Sequence, residues 1–257
     1  MSHQRYKRQF PIKPFHRVQF DILQLDPSVQ SNRAGFKYIF GVTDVASGAI
    51  WFQGMKAKSE ALSAFQAFEK WLRKVGPEIE EHTGAGVKLE VLASDRDVGF
   101  TTTFGHVRPQ FDEYCRQYSR EFTNAGEPRQ NSRIERVWRS AMEGATTLLK
   151  ESGLRAEYFF DAVQHWVHTF NSMPTDANRI NPKEAPWQSL GLRCFHFDRL
   201  RPFGTMGFVK TVTGDTKVPK SGDRGKPVVL IGYATDTPGY LFIDLQAKKI
   251  DTSVHVH

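Results

Sequence analysis

Three carboxylates occupy positions from which a folded chain could bring them to one place. Asp21 lies inside an alternating run in which Val18, Phe20 and Ile22 share one face and Gln19 and Asp21 the other, the pattern of a strand. Asp95 follows a second apolar alternation, Val87, Leu89, Val91 and Ala93. Glu135 falls in the first turn of a helix, among Arg129, Arg133, Arg136 and Arg139. Three carboxylates on separate elements can hold two divalent ions about 3.5–4 Å apart and clamp the attacking and leaving oxygens of a phosphoryl transfer. An oxygen-only donor set suits Mg²⁺ or Mn²⁺. Glu135 also has a plainer reading, a surface pair with Arg139 at i+4 worth about 0.2–0.5 kcal/mol.

The elements that must position these residues read in order as βββαβ. Strands are expected at 17–25, 36–43 and 49–55, with Asp44-Val45-Ala46-Ser47-Gly48 turning the second into the third. A helix opens at Ser59 as N-cap, carries Ala61, Phe65, Phe68, Leu72 and Val75 at helical spacing, and is expected to stop at Gly76-Pro77. That crossover lets the fourth strand return parallel to the first, so Asp21 and Asp95 would face each other across neighbouring strands. A helix over 106–118 and a weak strand at 120–123 precede the Glu135 helix, whose apolar stripe is Ile134, Trp138, Ala141, Ala145 and Leu148. A helix from Ala156 to Phe170 carries His165 and His168, which lack a third metal ligand nearby. Past Gly204 the chain breaks into short strands between Gly, Pro, Asp and Lys turns, a small β module with a basic loop at Lys217, Lys220, Arg224 and Lys226.

The divisions expected are a basic arm at 1–14, an α/β core at 15–175, a basic and aromatic linker at 176–205 and the β module at 206–257, which looks cut short. A net charge of +7 over 257 residues points to a polyanionic partner. Cys115 and Cys194 have no CxxC spacing, which argues against a disulfide framework or a zinc finger. No apolar run reaches membrane-spanning length, and the basic start lacks the apolar segment of a signal peptide.

Several blocks carry a resemblance. They are Phe40-Gly41-Val42-Thr43-Asp44 with Lys58-Ser59-Glu60, Ser94-Asp95, Phe111 with Tyr114-Cys115, Pro128-Arg129-Gln130-Asn131-Ser132-Arg133-Ile134-Glu135-Arg136, Asn171 with Met173-Pro174-Thr175, and Leu200-Arg201-Pro202-Phe203-Gly204. Together with Leu230-Ile231-Gly232-Tyr233 and Pro238-Gly239-Tyr240, they resemble the integrase of copia-type LTR retrotransposons over nearly the whole chain. The resemblance implies an α/β, RNase H-like core, a five-stranded mixed sheet with helices on both faces, followed by a small, incomplete β module. It implies a D-D-E triad at Asp21, Asp95 and Glu135 as catalytic residues and ligands of two Mg²⁺ or Mn²⁺ ions. It further implies DNA partners (LTR ends and a target duplex), a homo-oligomer, no membrane, and a nuclear or cytoplasmic setting. The reaction would be polynucleotidyl transfer, 3′-end processing and strand transfer. Arg129, Gln130, Asn131, Arg133 and Arg136 are read as DNA contacts.

The chain departs from the family after the second Asp, where Arg96-Asp97-Val98-Gly99-Phe100 replaces the usual Asn-Gly-Gly-Glu-Phe, and Ser132 replaces the usual Gly. No cysteine precedes Cys115 to build the upstream zinc domain of full-length integrases. These departures motivate a second reading, an inert integrase-derived DNA-binding or scaffold protein. A third, an RNase H acting on RNA–DNA hybrids, shares the fold.

Overall fold

The computed structural model describes residues 13–29, 32–95, 107–123, 132–192, 199–210, 225–234 and 239–254. They form two compact units, one drawn from within 1–24, 38–137 and 170–194, the other from within 25–37, 138–169 and 195–257.

The first unit is built on a five-stranded sheet ordered β3-β2-β1-β4-β5. Strands β1 (Arg17–Gln24), β2 (Tyr38–Asp44) and β3 (Ile50–Met55) form an antiparallel meander. Strands β4 (Val91–Asp95) and β5 (Ser119–Thr123) extend it in parallel from β1. This is the RNase H-like arrangement. Antiparallel neighbours need only a tight turn, whereas β1 and β4 require a crossover. Helix α1 (Ala61–Thr83) supplies it.

Alternation along β1 decides which face meets α1. Val18 and Phe20 are fully buried and join Phe40, Phe65, Phe68 and Phe111 in one cluster. Ring centroids of Phe20 and Phe40 lie 5.7 Å apart, and those of Phe65 and Phe111 5.8 Å. Phe111 belongs to α2 (Val107–Tyr114), which continues into a 3₁₀ turn at Cys115–Gln117.

Two details of α1 differ from the sequence expectation. The helix does not stop at Gly76-Pro77; Pro77 lies inside it and Gly84 caps it in the left-handed conformation. An interior proline costs about 3 kcal/mol. Burial of Ile79, worth about 1.5–3 kcal/mol, offsets much of this. Bonds at the helix end add to it: the Gly84 N–H donates to Glu80 O at 2.9 Å, and the Val87 N–H to Glu80 Oε1 at 2.7 Å. Ser59 is not the cap either. It lies within a 3₁₀ turn, Lys58–Glu60, and α1 begins after Glu60 without a side-chain cap.

Helix α3 (Ser132–Ser152) contributes its start to the first unit, where Ile134 is fully buried. Helix α4 (Phe159–Asn171) ends on Asn171, whose side chain clamps the start of β3. Its Oδ1 accepts the Ile50 N–H at 2.9 Å and its Nδ2 donates to Ile50 O at 2.8 Å. A short helix α5 (Pro186–Ser189) follows.

The second unit holds the rest of α3, most of α4 and a four-stranded antiparallel meander, β6 (Met206–Lys210), β7 (Gly225–Tyr233), β8 (Tyr240–Asp244) and β9 (Lys249–Ser253). Tyr233 is its keystone. Its ring stacks on His168 with centroids 3.9 Å apart and on His165 at 5.1 Å. Its hydroxyl accepts the Arg201 N–H at 2.9 Å and donates to Arg201 O at 3.2 Å. The Leu200–Gly204 block is thereby braced against the module. Gly204 (φ 80°) has no room for a side chain, since a Cβ would come within 2.3 Å of Ser152 Cβ.

Burial lowers the pKa of His165 to about 4 and of His168 to about 3, the latter also through the charge of His165. Both histidines are therefore neutral when folded and bind protons more readily when unfolded, near pH 6.5. Their stabilisation is complete above the unfolded pKa and declines as pH falls from about 6.5 toward the folded values. Urea unfolding at a series of pH values should show stability lost across this window, and His168→Phe should flatten the profile. An unchanged pH slope in that variant would contradict the assignment.

Candidate active site

Asp21 sits at the middle of β1, the central strand, on the face opposite Val18 and Phe20. It is half-buried, and its Oδ1 accepts the N–H of Ile22 at 2.7 Å, which orients the carboxylate. Directly across the antiparallel ladder stands Gly41, with no side chain to crowd that face.

The parallel pairing of β1 with β4 sets Arg17 opposite Val91, Val18 opposite Leu92 and Gln19 opposite Ala93. The pairing ends at Gln19 and Ala93, two residues before Asp21 on β1 and two before Asp95, the last residue of β4. Asp95 in turn pairs with Thr123 of β5. The side chain of Asp95 lies outside the described residues, as does the Arg96–Phe100 segment with Asp97.

Glu135 is in the first turn of α3, exposed, and forms no ion pair among the described residues. Its plainer role as half of a surface pair is not realised. Ile134 beside it is fully buried, so the helix start is anchored while Glu135 faces outward from that anchor. Among the described side chains no group of three or more His, Cys, Asp and Glu is arranged to hold a metal ion.

Of the five residues read as DNA contacts, Arg129, Gln130 and Asn131 lie outside the described residues. Arg136 is exposed on α3. Arg133 is engaged with protein: its Nη1 donates to Val45 O at 3.0 Å and Asp44 O at 3.3 Å. Burial depresses its pKa to about 10, with a further push from the like charges of Arg179, Arg136 and Arg17. A guanidinium in that setting stays protonated at neutral pH.

The turn that Arg133 grips is organised by Asp44, fully buried. Asp44 Oδ1 accepts the Phe15 N–H at 3.0 Å, and Oδ2 accepts the Ser47 N–H at 2.8 Å and the Ser47 hydroxyl at 2.7 Å. Burial raises its pKa and these bonds oppose the rise. A carboxylate committed in this way serves the turn, so Asp44 does not compete with Asp21 as a metal ligand. The Asp-x-x-Ser spacing of that turn was the available sign of this role. Nothing in the sequence marked Arg133 as its partner, because the two are brought together only by the fold. The His165 and His168 pair is likewise spent on Tyr233.

Arg133→Met should therefore lower unfolding free energy by about 1–3 kcal/mol, leaving two turn carbonyls short of a donor. Arg136→Ala, at an exposed position, should change it by less than about 0.5 kcal/mol. Urea denaturation of the two variants checks the contrast; equal effects would contradict the anchoring role.

No protein-family model matches the chain. It is 27% identical over 226 residues to the retrovirus-related Pol polyprotein from transposon TNT 1-94 of Nicotiana tabacum, covering 87% of this chain and 16% of that protein. It is 23% identical over 226 residues to the Pol polyprotein from transposon RE1 of Arabidopsis thaliana, covering 86% of this chain and 14% of that one. The chain thus spans well under a fifth of the length of these relatives. Among solved structures, the HTLV-2 integrase catalytic core domain in complex with magnesium (dimeric form) is 17% identical with a TM-score of 0.46, covering 69% of this chain and 97% of that one. A chain of the simian T-cell lymphotropic virus intasome in complex with PP2A regulatory subunit B56 gamma is 16% identical with a TM-score of 0.48, covering 94% and 77%. Along most of its length the chain is similar to the Pol polyproteins of copia-type transposons, the family that its motifs resemble.

Proposed function

We propose that this chain is the catalytic core of a retrotransposon integrase, which performs metal-dependent polynucleotidyl transfer on DNA. The observation that supports the reading is that Asp21 and Asp95 lie on neighbouring parallel strands, each two residues beyond the last β1–β4 pair, Gln19 with Ala93. Ligands collect at such strand ends because side chains converge there without breaking the ladder. Glu135 supplies the third carboxylate from an anchored helix start.

The donor set fits the metal: carboxylate oxygens only, with Asp21 half-buried and oriented by its neighbour's N–H. Mg²⁺ or Mn²⁺ bound to Asp21, Asp95 and Glu135 would make an attacking hydroxyl more acidic and stabilise charge on the leaving oxygen. In 3′-end processing the attacking oxygen comes from water; in strand transfer it comes from the DNA 3′-hydroxyl. A new P–O bond forms in line with the one that breaks, the nucleophile loses its proton, and the departing 3′-oxygen gains one. The work of the protein is to hold the reacting groups in line. Arg136, with Arg129, Gln130 and Asn131, holds the DNA end through its phosphates, which gives affinity without sequence information. Gly41 leaves the face beside Asp21 open for the substrate. The enzyme acts as a homo-oligomer, since joining two element ends to one target requires more than one such core. Among the described residues no helix is long and apolar enough to cross a membrane.

With Mg²⁺ or Mn²⁺ and a duplex bearing the element's terminal sequence, the chain should nick and join DNA. Asp21→Asn, Asp95→Asn and Glu135→Gln should each lower the rate on the order of a hundredfold or more while duplex binding persists. Full activity in any of them removes that residue from the site. The Arg96-Asp97 departure after Asp95 favours the inert scaffold as the second reading. Binding without cleavage under either metal would establish it, and preferential cleavage of an RNA–DNA hybrid would establish the RNase H alternative.

A further inference from the structure

Strand β5 closes the five-stranded sheet on the side of β4, and its Phe122, 43% exposed, is the one exposed phenylalanine among the described residues of the first unit. A single exposed apolar side chain is ordinary on a protein surface. Two things set this one apart. The ring is braced on one side, where the Arg120 guanidinium lies over it, 4.7 Å from the centroid. Arg120 is itself fixed: it is only 16% exposed, and its Nη1 donates to Asp112 Oδ1 of α2. The ring also stands at the end of the sheet that carries the proposed chemistry. Phe122 pairs with Ser94, one residue before the pair of Thr123 with Asp95.

Charge is not what this surface offers. Arg120 is matched by Asp112, Arg17 by Glu121 and Arg116 by Glu113. These pairs are neutral, so they recruit no phosphate. What remains is the outer face of an aromatic ring backed by a guanidinium, and every nucleobase has a π face that stacks on such a ring. A ring fixed before binding loses little freedom when a base is laid on it.

Alternation decides which bases can reach it. Arg120 pairs with Leu92, a member of the aromatic core, so Arg120 and Phe122 stand on the core face of the sheet. Asp21 stands on the other face, opposite Val18 and Phe20. A duplex lying against the Asp21 face keeps its bases paired there. Only a strand that has left the duplex and crosses the ends of β4 and β5 brings a base to Phe122.

We propose that Phe122 is a stacking platform for an unpaired nucleobase, carried by a DNA strand that has left the duplex and crosses the ends of β4 and β5. Arg120 is its positioning residue: it backs the ring, and its charge is spent on Asp112. The platform deepens the DNA-processing reading given above and rests on it. It lets the chain tell a duplex end with a single-stranded extension from a blunt one.

The test is fluorescence anisotropy of labelled DNA with the full chain, with and without Mg²⁺. One probe is a blunt duplex; the other is the same duplex with a short single-stranded extension on one strand. Wild type should bind the extended duplex about fivefold or more tightly than the blunt one, the effect of stacking one base. Phe122→Ala and Phe122→Leu, the second keeping apolar bulk without an aromatic face, should bind the two alike. Phe122→Trp should keep the preference. An abasic site in the extension should abolish the preference of wild type and leave nothing further for Phe122→Ala to remove. A 2-aminopurine at that position should be quenched by wild type and much less by Phe122→Leu. Phe208→Ala, removing an exposed ring from the second unit, controls for apolar surface and should keep the preference. Thermal unfolding of Phe122→Leu, matching wild type, excludes a folding defect. If wild type binds both duplexes equally, or Phe122→Leu keeps the full preference, the platform is wrong while the DNA-processing reading stands. If wild type binds neither duplex, that reading itself fails. Loss of self-association in Phe122→Ala, with the preference for the extended duplex intact, would give the ring to a protein interface instead.

Discussion

Parallel pairing of β1 with β4 is the constraint on which the rest of this chain depends. Two parallel strands cannot be joined by a hairpin, so the chain must leave the sheet, cross one face and return. The 23-residue α1 makes that crossing, and its phenylalanines bury the face of β1 that carries Val18 and Phe20. Because side chains alternate, burying that face commits Gln19 and Asp21 to the other. A slip of one residue would turn Asp21 into the aromatic core. The register is therefore enforced by a hydrophobic cluster in which each fully buried phenylalanine contributes about 1.5–3 kcal/mol. Core packing and site placement are two consequences of one alternation.

The β2–β3 turn extends this logic from strands to charges. Asp44 is withdrawn from water, which raises its pKa, and is satisfied by three donors. A carboxylate left unpaired in that position would be costly. Saturated, it stiffens a turn whose carbonyls point outward and receive Arg133. The start of α3, and Glu135 with it, is thereby referred to the same sheet that carries Asp21. The second unit follows the same economy of polar groups. Tyr233 serves as stacking surface for two neutral histidines and as hydrogen-bond partner for both backbone groups of Arg201.

What could be read directly from the residues was whatever rests on local periodicity. The first three strands, the parallel return of the fourth and the four short strands of the module follow from alternation and from Gly and Pro punctuation. Pro77 shows the limit: a local rule ends the helix there, but Ile79 two residues on is fully buried, and only tertiary packing reveals that. Arg133 shows it again. Among arginines at a helix start it looks like a ligand contact, yet its partners are carbonyls about ninety positions earlier in the chain, close only after the sheet has formed. His165 and His168 looked like a fragment of a metal site and prove to be packing for Tyr233, whose position no spacing rule supplies. Asp21 and Asp95 were found as candidates because one falls inside an alternating run and the other ends one.

The proposed chemistry rests on Asp21 and Asp95, carried by the neighbouring strands β1 and β4. The similar Pol polyproteins are many times longer than this chain, so its activity must be tested on the chain itself. The most direct measurement is anomalous scattering from crystals of the chain grown with Mn²⁺. Density bounded by the carboxylates of Asp21 and Asp95, with Glu135 on its rim, is the result this account predicts. Saturating Mn²⁺ with no density against Asp21 and Asp95, or density held by other residues, would contradict it.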